Sequence, residues 1–174
     1  MPVAIVGGAR FLCGLDLRPV AIGRCELTVN ASSYPDALEP GLVGTYPALA
    51  KAGGGYVWDD VLEYRVWCHP ERGAPNIEDG NDYYYAFATH AEAVAFFEST
   101  EGAEEPLALI RQVEYIDEPK PGEYRHVKQL RIAEWPVTFL QRPRRTPNTI
   151  ADFLSPNAPA NRLDILRGLA SRGD

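Results

Sequence analysis

Cysteine is scarce and follows no pairing pattern. The three cysteines of this 174-residue chain, Cys13, Cys25 and Cys68, are odd in number and widely spaced, and no CxxC pair occurs. That excludes a disulfide framework and a zinc knuckle, and fits a reduced, cytoplasmic protein. Long apolar runs are missing too. None reaches the ~18 residues of a membrane span. The N-terminal stretch MPVAIVGGARFLCGLDLRPVAIG has no basic leading region, and Arg10 interrupts its apolar run, so neither a secretion signal nor an anchor is expected. Positive charge is in deficit: the net charge is −7. This speaks against broad, sequence-independent nucleic-acid binding, which depends on neutralising phosphates, but leaves room for a local basic site. Gly7, Gly8 and Gly14 follow an apolar stretch yet miss the GxGxxG spacing, and no βαβ unit comes after them. No internal repeat and no low-complexity segment is present.

What the chain does have is ordinary globular material, 45% hydrophobic and 24% charged. Its length suits one domain, which at this size buries roughly 70% of the unfolded surface. Residues 1–53 carry only eight charged side chains and short apolar pieces broken by Gly and Pro. Residues 1–55 are therefore read as a poorly structured extension ending in the linker Gly53-Gly54-Gly55, and residues 56–174 as the domain.

From there the pattern is regular. Residues 61–68 are rich in aromatic and β-branched residues and read as a strand, with Leu62, Tyr64, Val66 and Cys68 on a core face and Glu63, Arg65, Trp67 and His69 on the other. Residues 70–82 are a loop by composition, and Tyr83 to Ala88 a second strand. Thr89 with Glu92 three residues later is a capping box opening a helix from His90 to Ser99. A third strand is predicted over 106–115, a turn over 117–122, a fourth strand over 124–133 and a short fifth over 137–140. Thr146-Pro147 signals a helix start, and a last helix begins near Ala160. The order β-β-α-β-β-β-α-α predicts an α+β fold: a single small domain with a mixed or antiparallel sheet and a few packed helices.

Four groups of residues could carry function. Cys68 could act as a nucleophile with His69, His90 or His126 as base, but it lies on the apolar side of its strand, where a free cysteine is usually a small core residue. Charge is uneven: residues 56–118 hold fifteen acids and three bases, while residues 120–145 hold seven bases and two acids. That basic segment, with Arg125 and Lys128, could hold an anionic small molecule such as a nucleotide or a coenzyme A phosphate, or could merely pair with the acidic one. Arg65, Trp67, His69, Tyr83, Tyr84, Tyr85, His126 and Glu134 form a polar and aromatic set, within which Glu134 and His126 are the candidate catalytic groups. Three successive tyrosines on a strand must face both ways, so Tyr84 or Tyr85 could join Trp67 in an aromatic wall, or all could be plain strand aromatics.

Two resemblances add to this. The segments VLEYRVWCHPERGA, YYYAFATHAEAVAFF, EEPLALIRQVEYIDEP, YRHVKQLRIAEWPV and NRLDILRG, together spanning Val61 to Arg167, are similar to small bacterial proteins labelled GNAT-type N-acetyltransferases. That implies a small transferase using acetyl-CoA. The Q/R-x-x-G-x-G/A loop of that superfamily is absent, so the resemblance assigns no cofactor residues. The series Tyr64-Arg65, then the tyrosine strand, then Glu134 resembles small ADP-ribosyltransferase domains. It implies NAD, with Arg65 on the pyrophosphate, Tyr84 or Tyr85 stacked on nicotinamide and Glu134 on a ribose hydroxyl, although the usual Ser-Thr-Ser element is missing. A non-catalytic binding or regulatory module is the third reading.

Overall fold

The computed structural model describes residues 34–170. Seven strands and three α-helices follow one another: β1 (Lys51–Ala52), β2 (Asp60–Cys68), β3 (Tyr83–Phe87), α1 (His90–Ser99), β4 (Leu107–Gln112), β5 (Tyr115–Lys120), β6 (Glu123–Val127), β7 (Arg131–Pro136), α2 (Thr149–Leu154) and α3 (Arg162–Leu166). The main sheet has the order β1-β7-β4-β2-β3, and β5-β6 form a separate hairpin. Only β1 runs parallel to its neighbour; the other pairings are antiparallel. The fold is the expected α+β architecture with a mixed sheet.

Central β2 sets the core. A bulge between Val61 and Glu63 shifts the alternation, so that Val61, not Leu62, joins Tyr64 and Val66 in the main cluster. Ala108 and Ile110 of β4 and Ala133 and Trp135 of β7 complete it. Full burial of side chains such as Val66 and Ile110 is worth roughly 1.5–3 kcal/mol each. Helix α1 closes this face through Ala93, Phe96 and Phe97. It begins where its sequence dictates: the Thr89 side chain accepts from the Glu92 N–H, and the Glu92 carboxylate accepts from the Thr89 N–H. A second cluster, Val57, Ile116, Ile150, Phe153 and Leu166, packs the hairpin against α2 and α3.

Several boundaries differ from the sequence pattern, each for a local reason. The apolar run 106–115 is two strands, because the Val113 N–H leaves the ladder to donate to Asp59 Oδ2 (2.6 Å) and the chain crosses to the hairpin. The segment 117–122 is largely strand, not turn: an irregularity between Asp117 and Lys120 accommodates Pro119, and only the tip at Pro121-Gly122 turns. The predicted strand 124–133 splits into β6 and β7 as the chain returns to the main sheet. Residues Val137–Gln141 form a 3₁₀ helix, whose period of three buries Val137 and Leu140 together. Helix α2 starts at Thr149 after Asn148, and the Thr146 N–H donates to the Thr149 hydroxyl (2.8 Å) without Thr146 capping the helix.

Part of the low-charge N-terminal stretch belongs to this packing. The Ala37 N–H donates to Ala88 O, the Leu38 N–H to Val61 O, and the Tyr64 hydroxyl to Pro35 O, while β1 adds an edge strand beside β7. The glycine triplet is a fixed turn: Gly53, Gly54 and Gly55 all have positive φ, and a Cβ on Gly55 would lie 2.2 Å from Gln112 Nε2. Residues 1–33, including Cys13, Cys25 and the Ala4–Gly8 stretch, lie outside the described residues.

Candidate functional site

Four of the sequence-derived candidates meet on the face of the sheet opposite α1. Arg65 is fully buried and directs its guanidinium to Glu63 Oε1 (2.7 Å), Glu134 Oε1 (2.8 Å), Pro47 O (2.8 Å) and Ala48 O (3.2 Å). It stacks on the Tyr84 ring at 4.4 Å, and Trp67 packs on the same ring at 4.9 Å. This face is polar yet covered. Residues 44–48 lie over it, and Glu63 also accepts the Gly44 N–H at 2.6 Å. The face that alternation turns away from the apolar core is thus covered around Arg65 by main-chain groups that match its charges. Arg65 spends its donors on the protein itself. The Tyr84 hydroxyl is buried without a partner among the described residues, and burial pushes its pKa up.

The other candidates lie apart from this cluster. Tyr85 faces α1, packed on Phe96 and Tyr83. His126, on the hairpin, lies 2.7 Å from Glu114; Glu114 bonds Arg145 (2.6 Å), which in turn pairs with Asp59 (2.7 Å). Beside that chain, Asp60 takes both Arg111 and Arg144. Arg125 is paired with Asp117 at 2.6 Å, and Lys128 is exposed on the turn after β6. So Glu134 and His126 serve different networks, and much of the basic segment pairs with the acidic one. Cys68 is buried in a small cluster with Ala74 and Tyr83, and burial raises its thiol pKa to about 11. Its neighbour His69 points to Asp82 (2.9 Å) and Glu104 (3.1 Å). Cys68 and His69 form no nucleophile–base pair. No group of three or more His, Cys, Asp or Glu side chains among the described residues could hold a metal ion, and no helix among them is long and apolar enough to cross a membrane.

An open cleft of about 900 Å³ lies elsewhere, between α2, α3 and the segment that leads into α2. Its apolar lining is Ile165 together with Phe153 and Leu166, which belong to the second core cluster. Its rim is polar, with Thr146, Asn148, Asn157 and Asn161, and charged, with Arg144, Arg162 and a single acid, Asp152. The volume is that of a small-molecule site, and a mostly apolar floor with a few polar groups is the usual composition of one. Among the described residues its wall holds no His, Cys or Lys.

The arginines separate into two groups. Seven of the ten among the described residues bond to carboxylates or carbonyls: Arg65, Arg72, Arg111, Arg125, Arg131, Arg144 and Arg145. The side chains of Arg142, Arg162 and Arg167 make no hydrogen bond or ion pair among the described residues and lie over aromatic rings. Arg162 lies over Phe153 (5.3 Å) and Tyr124 (6.0 Å), Arg142 over Phe139 (3.8 Å) and Trp135 (5.2 Å), and Arg167 over Tyr56 (5.8 Å). Sequence reasoning passed over Arg162 and Arg167 because Thr, Asn and Pro around short helices read as caps and turns. Only the approach of α3 to α2 places Arg162 on the cleft wall. Comparison of the chain with protein-family models, curated proteins and solved structures finds no match.

Proposed function

We propose that this chain is a ligand-binding domain that takes an anionic small molecule in the cleft between residues 143–149, α2 and α3. One observation carries the reading: Arg162 stands on the cleft wall with no anionic partner among the described residues, whereas six of the other nine described arginines pair with carboxylates. A guanidinium held on aromatic rings keeps its N–H edges available, and its fork suits carboxylate or phosphate. Binding is favoured over acid–base chemistry because the wall lacks His, Cys and Lys among the described residues, and because His126 is engaged by Glu114 and Glu134 by Arg65, away from the cleft.

The test is a thermal-shift titration of the full chain with acetyl-CoA, coenzyme A, NAD and ATP. A ligand that binds only the folded state adds RT ln(1 + [L]/Kd), roughly 2.7 kcal/mol at a hundredfold excess over Kd. At least one of these anions should raise Tm saturably, and Arg162→Glu should abolish the rise while Glu134→Gln preserves it. The reverse pattern, a rise lost in Glu134→Gln and kept in Arg162→Glu, would move the site to the buried face of the sheet and favour the NAD-dependent transferase. That second reading draws its support from the convergence of Arg65, Tyr84 and Glu134.

A further inference from the structure

The α2–α3 cleft holds polar side chains that the protein itself does not use. Asn148 stands before α2 and Asn161 before α3, where an asparagine side-chain oxygen usually accepts a helix N–H. Neither side chain caps its helix. Asn157, between the two helices, gives its backbone N–H to Ser155 Oγ (3.2 Å). The carboxamides of all three line the cleft and make no hydrogen bond among the described residues.

The charged groups of the same wall set what else can bind. Arg162 lies over the Phe153 ring (5.3 Å) with no carboxylate partner among the described residues. Arg144 gives Nε to Asp59 O and Nη2 to Asp60, and its Nη1 makes no bond among the described residues. The wall's one acid, Asp152, disfavours a ligand with negative charge along its whole length. Phe153 is the one aromatic ring in the wall among the described residues. It is 4% exposed and already packed by Tyr124 (4.9 Å) and Arg162, so a flat base finds no ring face to stack on.

We propose, resting on the reading of this cleft as an anion site, that the part of the ligand it recognises is a sugar phosphate, free or as the ribose phosphate of a nucleotide. A hydroxyl both donates and accepts, and so does a carboxamide, so three unengaged amides match the hydroxyls of a sugar. A phosphate brings three acceptor oxygens, enough for the Arg162 fork and for Arg144 Nη1 together. An acyl chain or a base without its sugar would leave these groups unanswered.

The experiment is a thermal-shift titration of the full chain in phosphate-free buffer at constant ionic strength, with ribose 5-phosphate, ribose, inorganic phosphate and AMP. Ribose 5-phosphate should raise Tm saturably and bind at least tenfold more tightly than ribose or phosphate. Asn157→Ala and Asn161→Ala should each weaken ribose 5-phosphate about fivefold, the worth of one neutral hydrogen bond, and leave phosphate binding unchanged. Arg162→Gln should weaken both. Since neither amide bonds to the rest of the described chain, both asparagine variants should melt like the wild type without ligand, which separates lost binding from lost folding. Tighter binding of AMP would mark a nucleotide as the occupant, and tighter binding of ribose 5-phosphate a free sugar phosphate; either supports the assignment. The proposal is overturned if ribose 5-phosphate gives no saturable rise, if it binds no more tightly than phosphate, or if both asparagine variants bind it like the wild type. If acetyl-CoA, coenzyme A, NAD or ATP then still raises Tm and Arg162→Glu still abolishes the rise, the sugar-phosphate assignment falls alone. If none of the four does, the cleft reading falls with it.

Discussion

Replacing Arg65 with alanine should cost about 3–5 kcal/mol, the usual penalty for removing one member of a buried ion pair. The structure explains why the figure belongs near the upper end of single-residue effects. Arg65 is fully buried, and four hydrogen bonds leave its guanidinium for Glu63, Glu134, Pro47 and Ala48. Its loss strands the Glu63 carboxylate, itself fully buried, with the Gly44 N–H as its one remaining hydrogen-bond donor among the described residues, and frees two main-chain carbonyls of the covering segment. Urea unfolding followed by tryptophan fluorescence reads the effect. With a slope of about 2 kcal/mol/M, the midpoint should fall by about 2 M. The double variant Arg65→Met/Glu63→Leu should recover much of that loss, because replacing both charges with apolar groups of similar volume removes the desolvation cost together with the pair. A midpoint change under about 0.5 M for Arg65→Ala, or a double variant less stable than the single one, would refute the assignment of residues 44–48 as a cover held by this network.

Three further outcomes follow from the geometry. Gly55→Ala should lose about 1–3 kcal/mol in the same assay, because φ is +79 and the Gln112 amide that its Cβ would meet is buried and held by Val57 O at 2.6 Å; Gly53→Ala, with no atom within 4 Å of its Cβ, should lose less. Tyr56 has its pKa raised to about 12 by burial and then by the bond to Glu118, so stability should be complete below the ordinary value of 10.0 and fall as pH rises towards 12. Glu118 has its pKa lowered from 4.5, chiefly by the same bond, so its contribution is present above 4.5 and lost as pH falls through the lower folded value. Tyr56→Phe should flatten both arms of the urea-derived stability–pH curve, and an unchanged curve would show that the bond contributes nothing. Finally, with its pKa near 11, Cys68 is about one part in a thousand thiolate at pH 8. Peptide mass spectrometry should find it unmodified by iodoacetamide until urea is added, and labelling at the rate of a free thiol would contradict its burial.

Local signals in the sequence were read well, and signals that depend on distant partners were not. The Thr89–Glu92 box and helix His90–Ser99 lie within a dozen residues, so the pattern and the structure agree closely. The alternation of β2 was equally visible, but the surroundings of its second face were not: nothing in residues 60–68 reveals that Pro47 and Ala48 will present carbonyls to Arg65. The strand break near Val113 was missed because it depends on Asp59, distant in sequence, capturing one N–H. The three unmatched arginines follow the same rule. Unpaired charge is a statement about all neighbours at once, and Arg142 looked no different from the paired Arg144 and Arg145 beside it.

The most direct measurement is an NMR titration of the ¹⁵N-labelled full chain with acetyl-CoA, NAD and ATP in turn, following each backbone amide. With at least one of them, the expected result is saturable shifts centred on Thr149, Asp152, Asn161 and Arg162, the wall of the α2–α3 cleft. Shifts centred on Arg65, Tyr84 and Glu134, or no saturable shift with any of the three at millimolar concentration, would contradict the assignment of that cleft as the binding site.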